Sequence, residues 1–150
     1  MRIYLDTCVI IDYLANRTPF SNDAEEIFSL LANNKILAYI SASSLTDLHY
    51  ILKRHFHDEM ATRKSMIKIL TFIEILDTLA YNIKTIFDSP INDFEDSLIE
   101  EISYQTKLSY IVTRNTKDFK NSRVEFIKCC WTSLFFKFNL GKSKKPKKAK

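Results

Sequence analysis

Apolar residues return along this chain at two different spacings. Short β-prone runs are nearly continuous, whereas in longer segments apolar residues return every three or four positions, which is typical of an amphipathic helix. Strands are predicted in this way at residues 2–5, 36–40, 72–76, 109–113 and 124–127. Helices are predicted between them, at residues 9–14, 24–34, 45–52, 59–70, 79–87 and 93–106.

This alternation of strands and helices predicts the fold class. Strands separated by helices of about ten or more residues need crossover connections and therefore pair in parallel. The expected fold is α/β, a three-layer α/β/α sandwich with a central, mostly parallel sheet of four to five strands. The one glycine, Gly141, and the three prolines argue against an all-β protein, which would need many tight turns.

Two of the predicted helices carry capping signals at their starts. Residues 22–25 read Asn-Asp-Ala-Glu and resemble a capping box, so the second helix is predicted to begin there. The serines within residues 41–44 offer side-chain oxygens that can cap the third helix.

The formal net charge of +4 is concentrated at the end of the chain. Six of the 22 basic residues lie within residues 141–150, which leaves 16 basic against 18 acidic side chains elsewhere. The body is therefore not a basic nucleic-acid surface overall, and the Lys-rich tail 141–150 is predicted to be disordered. The apolar segment before it is too short to span a bilayer. The predicted division is one compact domain at 1–127, an atypical apolar extension at 128–140 and the tail.

Cysteine usage indicates the compartment. Cys8, Cys129 and Cys130 have neither the spacing of a zinc site nor that of a disulfide framework, which fits a reducing cytosol. No apolar segment follows a charged start, so no secretory signal is expected. We therefore expect a cytoplasmic protein with no membrane partner.

Four aspartates lie next to the ends of predicted strands or the starts of predicted helices. Asp6 follows the first strand, Asp47 begins the helix after the second, and Asp118 follows the fourth. Asp96 begins a helix that leads into the fourth strand. Because open parallel sheets bind ligands at the carboxyl ends of their strands, all four are expected to face one crevice.

Several like charges in one crevice repel one another unless protons or a divalent metal neutralise them. Each aspartate taken singly also fits a helix cap or a solvated loop. Coordination by carboxylates alone suits Mg²⁺ or Mn²⁺ better than zinc. Such sites hydrolyse phosphodiesters by activating water and stabilising the leaving oxygen.

Around these aspartates the chain resembles PIN-domain ribonucleases, including the VapC-type toxins of bacterial toxin–antitoxin pairs. The matching segments are 4–12 (YLDTCVIID), 45–52 (LTDLHYIL), 93–98 (DFEDSL) and 111–119 (IVTRNTKDF). In order and spacing they cover residues 1 to about 127. The resemblance implies that Asp6, Asp96 and Asp118 are metal-site carboxylates, and that Asp47 joins them at a catalytic position where the family more often has glutamate.

The same resemblance implies roles for residues beside the acids. Thr113 and Asn115 are expected to hydrogen-bond to the site or to the scissile phosphate. Arg114 is interpreted either as a holder of backbone phosphate or as a solvated side chain. Asp93 is interpreted as a helix cap or as a supporting residue of the site.

The implied activity is Mg²⁺- or Mn²⁺-dependent endonucleolytic hydrolysis of RNA, in which an activated water attacks phosphorus and leaves 5′-phosphate and 3′-hydroxyl ends. The implied partners are RNA, an antitoxin protein and a second copy of the chain. After residue 127 the chain departs from the family, which usually continues into a proline-led segment and a final helix.

Two other functions stay open at this stage. Phosphatases of the haloacid-dehalogenase type and receiver domains also place an aspartate after their first strand. The former needs a second aspartate two residues later, where this chain has Cys8, and the latter would use Asp77 after the third strand. The other alternative is a catalytically degenerate PIN domain that binds RNA or protein without cleaving it.

Overall fold

The computed structural model describes residues 1–129. The strands in this part of the chain are β1 (Arg2–Leu5), β2 (Leu37–Ser41), β3 (Ile73–Leu76), β4 (Tyr110–Thr113) and β5 (Phe126–Lys128). The α-helices are α1 (Thr7–Leu14), α2 (Ser21–Ala32), α3 (Ala42–Phe56), α4 (Glu59–Ile69), α5 (Ala80–Thr85) and α6 (Phe94–Gln105). Apart from residues 128 and 129, the predicted extension and the Lys-rich tail lie outside the described residues.

The five described strands form one sheet in the order β3-β2-β1-β4-β5, and every neighbouring pair is parallel. The predicted α/β fold with a parallel sheet is therefore confirmed. This order differs from the 2-1-3-4-5 order of receiver-type sheets, which removes the receiver alternative. All the carboxyl ends of the strands meet at one edge, as the sequence argument required.

Alternate residues of the central strand β1 contact opposite layers of the fold. Ile3 and Leu5 belong to a buried cluster that includes Val9 of α1 and Leu48 of α3. Tyr4 faces the other way, into a second cluster that contains Ile99 of α6 and Phe119. Because side chains alternate along a strand, one short strand supplies both cores of a three-layer sandwich.

The two predicted caps have different outcomes. The Ser41 hydroxyl accepts a hydrogen bond of 3.1 Å from the Ser44 backbone N–H, so the serine cap of α3 is confirmed. The capping box at residues 22–25 is wrong, because α2 begins one residue earlier at Ser21 and its cap residue Phe20 makes no capping side-chain bond. The chain instead enters α2 through a turn in which the Arg17 carbonyl accepts from the N–H groups of Phe20 and Ser21.

Two further departures concern short 3₁₀ turns. The predicted helix 79–87 is divided into α5 and a 3₁₀ turn at Ile86–Asp88. A second 3₁₀ turn, at Asp118–Asn121, was not predicted and begins at a candidate site residue. Three-residue periodicity is too short a signal to distinguish such turns from loops in a sequence.

Among residues 1–129, no helix has the length and apolar character needed to cross a membrane.

Candidate active site

A pocket of about 600 Å³ opens at the carboxyl edge of the sheet. Its lining includes five acidic side chains and two arginines. The acidic residues are Asp6, Asp93, Glu95, Asp96 and Asp118, and the arginines are Arg17 and Arg114. Three of the four aspartates singled out in the sequence therefore share this pocket, and Asp47 is not among the residues that line it.

Asp6 lies at the junction of β1 and α1, where it is 8% exposed. Its backbone N–H donates to the Val112 carbonyl at 3.1 Å, which continues the pairing of β1 with β4. Its carboxylate caps α1 by accepting from the Cys8 N–H at 3.4 Å. A charged cap also suits the positive end of the helix dipole, so Asp6 is held in place by the local fold.

A chain of hydrogen bonds links Asp6 to Asp118 through the end of β4. The buried Thr113 hydroxyl donates to Asp6 Oδ2 at 2.6 Å and accepts from the Asn115 N–H at 2.9 Å. The Asn115 side-chain amide in turn donates to Asp118 Oδ2. Asn115 and Asp118 are themselves exposed at the pocket, so this relay connects the buried carboxylate to the exposed one.

Asp96 reaches the pocket from the first turn of α6. Asp93 caps this helix, and its Oδ1 accepts a hydrogen bond of 3.0 Å from the Asp96 N–H. Burial, followed by the negative charges of Asp6, Asp93, Asp118 and Glu95, raises the pKa of Asp96 to about 7. The acids that the sequence placed far apart are therefore close enough in space to oppose each other's ionisation.

Glu95 is a pocket residue that the sequence argument missed. Burial raises its pKa, and the charges of Asp47, Asp6 and Asp93 add to the effect. Asp47 is thus near enough to act on Glu95 through its charge, although it is exposed on α3 and does not line the pocket. Among the acids at the start of α6, roles were predicted from the sequence for Asp93 and Asp96 and none for Glu95, because nothing local distinguishes a glutamate beside them.

Asp12 is a second residue that the sequence argument missed. It is completely buried in α1, with Oδ2 at 2.9 Å from Arg114 Nε and Oδ1 at 3.8 Å from Arg17 Nη1. Burial raises its pKa, whereas the charges of Arg114 and Arg17 lower it. The signal in the sequence was an aspartate directly after the apolar run 9–11, on a helix with no other acidic residue.

Cys8 also lines the pocket, and its thiol lies 3.1 Å from Asp6 Oδ2. Burial and the charge of Asp6 raise the pKa of Cys8 to about 12. The thiol is therefore protonated at neutral pH and donates a hydrogen bond to Asp6. It is not a thiolate nucleophile, since nucleophilic cysteines need a lowered pKa.

The pocket fits a hard divalent cation by its charge. Among residues 1–129, no three carboxylate, imidazole or thiol groups form a ready-made metal site as they stand. The five acids nevertheless face only two arginines, both of which are paired with the buried Asp12, so the negative charge is in excess. Like charges hold carboxylates apart until a cation draws them together, so this excess of negative charge fits a cation even at the present spacing of the acids.

Comparison with known proteins agrees with this geometry. The sequence matches the family model for the PIN domain over residues 2–117, and no curated protein sequence matches at a significant level.

Several solved structures share the fold. VapBC2 from Rickettsia felis, solved with a DNA fragment from its promoter, is 20% identical with a TM-score of 0.67, over 85% of this chain and 98% of that one. The Sarcin-Ricin loop cleaving toxin VapC20 of Mycobacterium tuberculosis is 14% identical with a TM-score of 0.58, over 73% of this chain and 86% of that one. A toxin–antitoxin complex from Klebsiella pneumoniae is 19% identical with a TM-score of 0.58, over 79% of this chain and 90% of that one. The family match, the all-parallel sheet and the acidic pocket together lead to one assignment: the chain belongs to the PIN-domain family.

Proposed function

We propose that this protein is a metal-dependent endoribonuclease that hydrolyses RNA phosphodiester bonds, and that it acts as the toxin of a toxin–antitoxin pair. The observation that carries the proposal is the pocket in which Asp6, Asp96 and Asp118 come together from three different elements. Burial, and after it the negative charges of Asp6 and the neighbouring acids, raises the pKa of Asp96 to about 7. A cluster of carboxylates such as this one can bind a divalent cation, which in turn can bind a phosphate group of the substrate.

In this proposal, Asp6, Asp96 and Asp118 hold Mg²⁺ or Mn²⁺, and Glu95 contributes a further carboxylate. A bound divalent ion would supply activation of water and neutralisation of charge on the phosphate. Thr113 fixes the Asp6 carboxylate by its 2.6 Å hydrogen bond. The Asn115 side-chain amide orients Asp118 through its hydrogen bond to Asp118 Oδ2.

The arginines supply the substrate contacts in this proposal. Arg114 lines the pocket beside the acids, so its guanidinium is in a position to meet a phosphate oxygen of the RNA strand. Asn115 is an additional donor for the same phosphate. We therefore keep the prediction that Arg114 binds a backbone phosphate. In the protein without RNA, its partner is Asp12.

The proposed protein partners come from the related structures. The Klebsiella protein was solved as a toxin–antitoxin complex, and the FitAB structure, with a TM-score of 0.61 and 18% identity, was solved with a DNA fragment. By this likeness we propose an antitoxin protein as a partner. A second copy of the chain as a partner and a cytoplasmic location stay predictions from the sequence.

Incubation of the protein with single-stranded RNA and Mn²⁺, followed by mapping of the product ends, tests the proposal. We expect cleavage that leaves 5′-phosphate and 3′-hydroxyl ends and stops in EDTA. Asp6→Asn should abolish cleavage while the protein stays folded, because asparagine can still cap α1 and one repelling charge is removed. Asp77→Asn is the matched control, since Asp77 follows β3 but does not line the pocket.

The second candidate is a degenerate PIN domain that binds RNA or protein only. The position of Asp47 outside the pocket lining favours it, because the catalytic set implied by the resemblance is then incomplete. Thermal unfolding with and without Mn²⁺ distinguishes the two. A nuclease with a working site gains several degrees at saturating Mn²⁺ through ligand linkage, and Asp6→Asn loses that gain. RNA binding without cleavage and without a gain would favour the degenerate domain.

A further inference from the structure

A buried carboxylate lies beneath one side of the pocket, behind the two arginines that line it. Asp12 is 0% exposed, whereas the side chains of Arg114 and Arg17 are 26% and 50% exposed. Within residues 1–129, neither oxygen of Asp12 makes a well-aligned hydrogen bond, so the two guanidinium groups are its charge compensation. Burying such a charge is costly, and both arginines are therefore drawn towards it.

Arg114 is held on a second side as well. Its guanidinium carbon lies 4.3 Å from the centre of the Phe20 ring, in cation–π geometry. Its Nε lies 2.9 Å from Asp12 Oδ2, while the side chain still lines the pocket. Arg17 also contacts Asp12 through the backbone, because the Arg17 N–H donates to the Asp12 carbonyl at 3.0 Å.

We propose that Asp12 is a positioning residue that holds Arg114 and Arg17 as a phosphate-binding side of the pocket, next to the acids that bind the metal. The inference rests on the proposed function and names a subsite of it, the place where the backbone phosphate of the RNA strand is held. Two arginines share one buried carboxylate, so this side keeps a net positive charge for an anion. A planar guanidinium with a fixed orientation suits a phosphate, because it donates two parallel hydrogen bonds.

Positioning matters here because the same pocket contains five carboxylates. An arginine without these contacts would form an ion pair with the nearest carboxylate. The contacts with Asp12 and Phe20 instead fix the position of the Arg114 guanidinium. The arginine side chains are then already ordered before the RNA binds, so less conformational entropy is lost on binding.

The first test is the steady-state kinetics of RNA cleavage in Mn²⁺ by Asp12→Asn. We expect KM for RNA to rise by about tenfold with a small change in kcat, since the phosphate contact acts on binding in both the ground state and the transition state. Arg17→Gln, at a half-exposed position, should reproduce the rise in KM. Glu101→Gln is the matched control, because it removes an equally buried acid from an ion pair with Arg123 outside this pocket.

A triple variant separates positioning from a general loss of stability. If Asp12 acts through the two arginines, adding Asp12→Asn to a variant that already carries Arg17→Gln and Arg114→Gln should cause no further loss. Each variant that loses one phosphate contact should also lower the slope of log affinity against log salt by about one. A purely structural role would give additive losses, a lowered kcat and an unchanged salt slope, and would overturn the proposal.

Binding of a short fluorescein-labelled single-stranded RNA in EDTA, followed by anisotropy at low salt, keeps this inference separate from the proposed function. If the wild-type protein does not cleave RNA in Mn²⁺, the nuclease proposal fails, and binding in EDTA alone decides the role of Asp12. Weaker binding by Asp12→Asn and Arg17→Gln than by the wild type and Glu101→Gln supports it. Equal binding by all four proteins, or no binding by the wild type, overturns it.

Discussion

The Thr113 hydroxyl donates a 2.6 Å hydrogen bond to the Asp6 carboxylate across the boundary between two parallel strands. Leu5 of β1 is paired with Val112 of β4, so the next two residues, Asp6 and Thr113, lie side by side at the same edge of the sheet. Two positions that are 107 residues apart in sequence therefore form one unit of the pocket. The strand pairing, more than either residue type, explains why a threonine in the fourth strand supports an aspartate after the first.

We predict that Thr113→Val weakens both the fold and the site. The substitution removes the shorter of the two side-chain hydrogen bonds that Asp6 Oδ2 accepts and leaves the one from Cys8. Loss of a hydrogen bond to a charged group costs about 1–3 kcal/mol of unfolding free energy. Cleavage of RNA should fall by about 10–100-fold, as is usual when a group that orients a metal-binding side chain is lost. Urea unfolding and RNA cleavage rates measure the two effects.

Thr113→Ser is the control for that substitution. It retains the hydroxyl and should keep most of the activity, although it loses a buried methyl group. Equal activity of the valine and serine variants would contradict the role given to the hydrogen bond.

The raised pKa of Asp96 predicts a pH dependence of stability in the metal-free protein. The folded state holds this proton up to about pH 7, whereas the unfolded chain releases it near the ordinary value of 3.8. The contribution of Asp96 to the unfolding free energy is therefore greatest below the lower value and is lost as the pH rises towards the upper one. Asp96→Asn should become progressively more stable than the wild type across that range, as measured by urea unfolding in EDTA.

Mn²⁺ competes with the same proton, so the stabilisation that it gives to the wild type should increase with pH up to about 7 and then level off. A difference between Asp96→Asn and the wild type that stays constant with pH would contradict the assignment.

The pocket predicts that Glu95 matters more than Asp47. Glu95 lines the pocket beside the aspartates, whereas Asp47 acts on it only through its charge. Glu95→Gln should therefore weaken stabilisation by Mn²⁺ and RNA cleavage strongly, and Asp47→Asn should do so only slightly. Thermal shifts and cleavage assays on the two variants provide the comparison. The reverse order would mean that Asp47 turns into the site when the ion binds.

A buried ion pair outside the acidic pocket predicts a change in stability alone. Arg123 Nη2 lies 2.7 Å from Glu100 and 2.5 Å from Glu101, and both glutamates are buried. Removing the arginine leaves two buried carboxylates without their cationic partner, so Arg123→Ala should cost about 3 kcal/mol of unfolding free energy.

Cleavage by folded Arg123→Ala should match the wild type at a temperature well below its melting point, since this ion pair does not line the acidic pocket. A cost below about 1 kcal/mol would mean that the glutamates reach solvent or take up protons. Chemical unfolding followed by circular dichroism gives the measurement.

The sequence predicted most of the fold because its signals were local. Strand β1 and helix α4 begin at the residues predicted from the sequence pattern. The serine cap of α3 was predicted from the hydroxyl side chains at residues 41–44. The start of α2 was missed because the turn that begins it depends on backbone contacts of Arg17, which no side-chain pattern records.

By itself, the sequence determined the alternation of strands and helices, the parallel sheet and the placement of Asp6, Asp96 and Asp118 at the edge where strands end. These follow from periodicities of two and 3.6 residues and from the geometry of crossover connections. Only the tertiary structure decided that Glu95 lines the pocket while Asp47 does not, and that Asp12 lies buried against Arg114. The physical reason is that periodicity assigns a residue to an element, whereas burial and the approach of distant charges depend on how the elements pack together.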